Sequence, residues 1–221
     1  MGILDLFRGS TDAEKALKLK AKVAQKYGDP LGRQKAIETL GTLRVPEAVQ
    51  VLMYRFTFAV EPATTDTEEK ERTLDLVAGY GEQALPELKS FLRSSDAGIS
   101  WALRAFGHIL SEEDAVGVVV DELTYLGSTY SRSHDKTVIL INALEGKTDA
   151  RIAPALVGLL EDSPDDVKVA TLQRLLAPGA GRQGRAHLRE EVGTHRAEVE
   201  AVLGDRFILD GQGHVQARPV S

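Results

Sequence analysis

The sequence contains no cysteine, which removes disulfides, thiolate metal ligands and cysteine nucleophiles and fits a reducing cytoplasm. Long apolar runs are missing too. No stretch approaches the ~18 residues that a membrane-spanning helix needs, so no stable membrane insertion is expected. The opening Met1-Gly2-Ile3-Leu4-Asp5-Leu6-Phe7-Arg8 is too short and too acidic for a secretory signal. Leu6 stands where a myristoylation signal needs Ser or Thr. A cytoplasmic location is the expectation. Basic charge is scarce: 27 Lys and Arg against 33 Asp and Glu leave a net charge of −6, which disfavours a generic nucleic-acid partner.

Patterns that carry catalysis are absent in turn. The five histidines, His108, His134, His187, His195 and His214, make no HExxH pair, and none is followed by Glu. The His-Glu dipeptides with which helical-repeat iron hydroxylases hold metal are therefore lacking. No phosphate-binding glycine loop occurs. Gly179-Ala180-Gly181-Arg182-Gln183-Gly184 has no strand before it, and no GxSxG elbow exists. The chain is read as non-enzymatic, with no catalytic residue, metal ligand or cofactor expected.

What is present is repetition. A nine-residue apolar segment occurs four times without gaps: AVQVLMYRF from Ala48, ALPELKSFL from Ala84, AVGVVVDEL from Ala115 and IAPALVGLL from Ile152. Positions one, two, five and nine are apolar in every copy, and position eight in two, which is one stripe of a 3.6-residue helix. Starts 36, 31 and 37 residues apart fall in the range of helical solenoids. A lighter helix precedes each copy, at 31–43, about 66–80, 97–109 and 135–145, with Gly41, Gly79 or Gly81, Gly107 and Gly146 near its end. Asp66 with Glu69, Ser111 with Asp114, and Ser163-Pro164 read as helix starts. A fifth first helix runs from Asp165 through Leu176. Before the repeats, Thr11 and Glu14 form a capping-box pattern for a helix to about Lys26 bearing Lys15, Lys18, Lys20, Lys22 and Lys26. It reads as a solvated face or as a patch for an acidic partner. Ile3, Leu4, Leu6 and Phe7 form a short apolar hook ahead of it.

The motifs Asp29-Pro30…Arg33…Ala36…Leu40-Gly41, Asp165-Asp166-Val167…Ala170…Leu175 and Val45-Pro46-Glu47-Ala48-Val49 resemble HEAT repeats of the short type also found in phycobilin lyase-like proteins. The resemblance covers about 29–177. It implies an all-α fold, a right-handed α-solenoid of about five helix pairs. Three regions follow: 1–28, hook and basic helix; 29–177, the solenoid; 178–221, a cap of helices and a β-hairpin at 206–218. Because the family includes scaffolds, adaptors, lyases and nucleic-acid enzymes, it leaves the role open.

A higher-order repeat lies above the first. The first and third nonapeptides, 67 residues apart (Ala48 to Ala115), are followed by long segments from Thr57 and Thr124, the second and fourth by short turns. Long loops on one solenoid edge suit recognition. Phe58, Tyr125 and Tyr130 are their aromatic candidates. Met53, Tyr54, Val120 and Asp121, off the apolar stripe, are expected as an exposed ridge on the concave second-helix face. Trp101, beside Arg104, is a further candidate contact, although packing is the commoner role of a lone Trp. The expected function is a scaffold or adaptor for a protein partner. One alternative is a lyase-like or enzyme-accessory protein holding a small ligand in the same groove. Another is nucleic-acid binding through Arg182, Arg185, Arg189, His195 and Arg196 of the C-terminal segment.

Overall fold

A computed structural model describes residues 10–128, 133–160, 164–176, 207–209 and 215–217. The hook at 3–7, Tyr130 and the arginine-bearing stretch 178–206 lie outside them. The described chain is all-α in class. Ten helices occur in order among these residues: α1 Asp12–Val23, α2 Pro30–Leu43, α3 Pro46–Met53, α4 Ala63–Ala78, α5 Leu85–Ser94, α6 Ile99–Ile109, α7 Glu112–Ser128, α8 His134–Ala143, α9 Ile152–Val157 and α10 Asp165–Leu176. Two three-residue strands, β1 Phe207–Leu209 and β2 Val215–Ala217, pair antiparallel with Ile208 opposite Gln216. None of the described helices is long and apolar enough to cross a membrane.

Local sequence sets the helix starts. Thr11 Oγ1 accepts from the Glu14 N–H at 3.2 Å, and the Glu14 carboxylate accepts from the Thr11 N–H at 3.1 Å, the reciprocal box expected for α1. Pro30, Pro46 and Pro86 occupy first turns of α2, α3 and α5, where a missing N–H costs nothing. The glycines divide differently from expectation. Gly41 and Gly107 lie inside α2 and α6, whereas Gly81, at φ +60°, opens a one-turn 3-10 helix and Gly146, at φ +72°, lies in a turn. The end of α2 is made by Arg44, at φ +50°, a conformation that costs about 1–2 kcal/mol for a residue with a Cβ. Its guanidinium donates to the Gly79 carbonyl at 2.7 Å and lies 5.2 Å over the Tyr80 ring. Tyr80 in turn donates to the Leu40 carbonyl at 2.6 Å, so the C-termini of α2 and α4 are clasped together.

The chain divides into two compact units, Met1–Ser111 and Glu112–Ser221. In the first, the lighter helices α2, α4 and α6 lie side by side in that order, α3 lies beside α5, and α1 packs on α2 and α3. Leu40, Leu52, Leu74, Val77, Leu88, Leu92 and Phe106 fill the space between these layers. On the outer face, neighbouring residues of α4 reach in opposite directions. Arg72 grips both carboxylate oxygens of Glu38 on α2 at 2.6 and 2.7 Å. Glu71 is gripped the same way by Arg104 of α6 at 2.8 and 2.7 Å. In the second unit α7 packs on α8 and α9, and α10 on α8 and α9, around Leu123, Leu140, Ile141, Leu156, Leu172 and Leu175.

Candidate functional site

The nine-residue segment that starts at Ala48 ends in a one-turn 3-10 helix, Tyr54–Thr57. Tightening from 3.6 toward 3 residues per turn changes where its side chains go. Tyr54 is half-buried under α1, with Lys20 Nζ 4.2 Å above its ring. Arg55 is fully buried and faces α4. Phe56 stacks on Trp101 of α6, with ring centroids 5.5 Å apart and planes 2° from parallel. Arg104 lies 4.5 Å over the Trp101 ring, so this aromatic pair is closed by a cation on one side. Gly98, at φ +76°, brings α6 into this contact. A Cβ there would sit 2.8 Å from Phe56 Cβ and 2.9 Å from its carbonyl oxygen, so only glycine fits.

Arg55 belongs to a buried network of five charges. Its Nε donates to Glu69 Oε2 at 2.8 Å, its Nη2 to Asp66 Oδ1 at 2.7 Å and its Nη1 to the Phe58 carbonyl at 3.1 Å. Arg33 of α2 donates to both Glu69 oxygens, at 2.8 and 2.9 Å. Lys70 donates to Asp66 Oδ2 at 2.8 Å, and the Val60 N–H to Asp66 Oδ1 at 3.0 Å. For both carboxylates burial is the largest single influence and pushes the pKa up. The cationic donors, Lys70 and Arg55 at Asp66 and Arg33 and Arg55 at Glu69, outweigh it and hold both groups below the usual range. Carboxylates held ionised, with every oxygen engaged, suit structure rather than proton transfer. The network also reaches the surface of the unit: Arg33 Nη1 donates to the Gln25 carbonyl at 2.9 Å, which fixes the turn between α1 and α2.

The second unit holds a buried pair of its own. Glu122 of α7 and Lys136 of α8 approach to 2.9 Å, both almost fully buried. Arg55 and Glu122 are position eight of the first and third nonapeptides, and each pairs with a residue fourteen further on, Glu69 and Lys136. The charges are reversed between the copies. Asp66 and Glu69 do not start a helix as their spacing suggests: α4 begins at Ala63, Asp66 closes its first turn and Glu69 follows in the second, and both serve the network. The sequence did carry a signal for it, a charged residue at position eight of an otherwise apolar stripe.

The expected ridge is corrected by burial. Met53 is 1% exposed and Val120 6%, so neither is an exposed anchor. Val51 is buried as well. This flank of α3 is apolar because both α1 and α5 pack on it. Phe58 follows the 3-10 turn in extended backbone, with Arg55 4.8 Å over its ring. Tyr125 is not in a loop. It lies on α7, which continues to Ser128, and is 41% exposed, with Asp121 one turn before it also exposed. The expected equivalence of Phe58 and Tyr125 as loop aromatics therefore fails. Met53, Tyr54, Phe58 and Trp101 belong to the first unit, Val120, Asp121 and Tyr125 to the second.

A different surface is exposed in the first unit. Among the described residues, the large apolar side chains that stand most open are Tyr27 at 78%, Leu31 at 76% and Leu17 at 48%. They fall within α1, the turn after it and the first turn of α2. The same stretch carries Lys15, Lys18, Lys20, Lys22 and Lys26, all exposed, and no acid from Lys15 through Gly28. Lys15, Lys18 and Lys22, spaced three and four apart, share one helix face. Ala16 and Val23, about a quarter-turn further round the helix, are fully buried. Comparison with family models, with curated proteins and with solved structures finds no match for this chain. Among the described residues no three His, Asp or Glu side chains come together as a metal-holding group.

Proposed function

We propose that this chain is a HEAT-like α-solenoid scaffold whose activity is to bind another protein. Support for the repeat architecture comes from the order within each unit, where like helices lie beside like: α2, α4 and α6, α3 and α5, α7 and α9, α8 and α10. Ties such as Arg72–Glu38 and Arg104–Glu71 span 34 and 33 residues, close to the repeat spacing, so each links one repeat to the next. The observation that carries the binding role is the open apolar and basic surface of residues 15–31. A side chain the size of Leu or Tyr gains about 1.5–3 kcal/mol when fully buried, and single exposed ones are ordinary, but here three fall within residues 15–31, which also carry five lysines. The ionised, fully engaged carboxylates of the first unit favour this reading over an enzymatic one.

The test is capture from native extract, identification of the partner and reconstitution from purified components, with cross-links mapped to the chain. A one-to-one complex of purified proteins is the expected result. If no candidate partner reconstitutes, while a small molecule copurifies and shifts the melting temperature, the scaffold reading gives way to the ligand-binding alternative.

A further inference from the structure

We propose that α1 and the turn that follows it, residues 15–31, are the docking surface for an acidic amphipathic segment of a partner protein. This rests on the scaffold reading and names its site and the chemistry of its partner. Charge is the first argument. Residues 1–26 hold six cations against three acids, a net +3, while the remaining chain holds 21 against 30, a net −9. Among the described residues only Lys15 of the five lysines is in an ion pair, with Asp12 at 2.7 Å. Lys18 meets only the Ser10 hydroxyl, at 3.2 Å, and Lys26 lies 5.4 Å over the exposed Tyr27 ring. The cations are not used up by the fold.

The second argument is order. The surface is held from below by Ala16, Val23 and the Lys20–Tyr54 contact, at its start by the Thr11–Glu14 box, and at its end by the Arg33 bond to the Gln25 carbonyl. A rigid surface loses little entropy when a partner binds. Leu17, Tyr27 and Leu31 then supply apolar anchors, and the lysines supply complementarity that selects acidic partners and speeds encounter. A peptide is favoured over an anionic membrane or a nucleic acid by charge: the rest of the chain carries a net −9, which opposes the approach of an extended polyanion more than that of a short segment.

The experiment is fluorescence anisotropy with the full chain and a labelled synthetic peptide that carries Leu and Glu at helical spacing. The same peptide with Lys for Glu, phosphatidylserine vesicles and a single-stranded RNA are run beside it. The variants are Lys18→Glu/Lys22→Glu and Leu17→Ser/Tyr27→Ser, all at exposed positions, with Lys26→Glu outside the helix as a third. The acidic peptide should bind wild type and weaken with rising salt. Each double variant should weaken it about tenfold or more, at unchanged helicity and melting temperature. Equal binding by the variants overturns the proposal, as does no binding of the acidic peptide. Stronger lysine-dependent binding of vesicles or RNA overturns it in favour of that surface. If the acidic peptide fails while a reconstituted partner cross-links to other helices, the docking surface falls and the scaffold reading stands.

Discussion

Removing the Glu69 carboxylate should be among the most damaging single changes in the first unit. Glu69 accepts three strong hydrogen bonds from two guanidinium groups that are themselves almost wholly buried. Glu69→Ala leaves Arg33, Arg55 and Lys70 with one carboxylate, Asp66, among them. Stranding a buried charge costs about 3–5 kcal/mol, out of a total stability on the order of 5–15 kcal/mol. For a unit of this size that corresponds to a fall in melting temperature of about 15 °C. Trp101, the only tryptophan, stacks on Phe56 beside the network, so its emission during urea unfolding reports this unit alone. Glu69→Gln keeps an acceptor and should lose about half as much. The triple change Arg33→Met/Arg55→Met/Glu69→Met removes the charges together and should cost far less than the single alanine. A loss below about 1 kcal/mol for Glu69→Ala would refute the reasoning, because it would mean the two guanidiniums find solvent or new partners without cost.

Acid should act on the same network. Asp66 and Glu69 have folded-state pKa values below their ordinary ones, so their contribution is complete above about pH 4–5, where the unfolded carboxyls are already ionised, and is lost as pH falls through the folded values. A Trp101-monitored acid titration should show this, with less acid dependence in Glu69→Gln. In the second unit Asp149 is lowered to about 2, chiefly by the side-chain hydrogen bond from Arg151 and also by the Arg151 N–H. Carboxyl NMR should place it there, and Arg151→Ala should return it toward the usual range. Gly98→Ala should destabilise the first unit by more than about 1 kcal/mol and shift Trp101 emission to the red as the Phe56 stack opens. Lys136→Met should destabilise the second unit by about 3–5 kcal/mol, seen as lost cooperativity in far-UV thermal melts with Trp101 emission unmoved.

Helices were legible where one physical rule acted alone. Thr11 and Glu14 make the box their spacing requires, and α10 spans Asp165–Leu176 as its pattern indicates. Boundaries slipped where two rules competed. Gly41 satisfies a helix-end rule but lies inside α2, where it permits close approach of Leu76, while Arg44 takes the left-handed position because Gly79 and Tyr80 hold it there. The candidate surface was less legible, since a stripe at 3.6 spacing defines one inner face and α3 has more. Packing of both α1 and α5 buries Met53 beyond what nine residues can disclose. The lysines of α1 were visible as a cluster, but the openness of Leu17, Tyr27 and Leu31 depends on what folds over them, and that is a property of the whole unit.

The reversed buried pairs bear on a hazard peculiar to chains built from copies. A segment that fits its own place also fits its sister's, and a nascent chain can dock the wrong one. Here the apolar stripes of AVQVLMYRF and AVGVVVDEL are interchangeable, yet their eighth residues are not. Seating Glu122 where Arg55 belongs would set it against Glu69, and Arg55 in the place of Glu122 would meet Lys136, like against like and shut away from water. Hydrophobic fit thus makes the two segments alike, and two swapped charges give each an address.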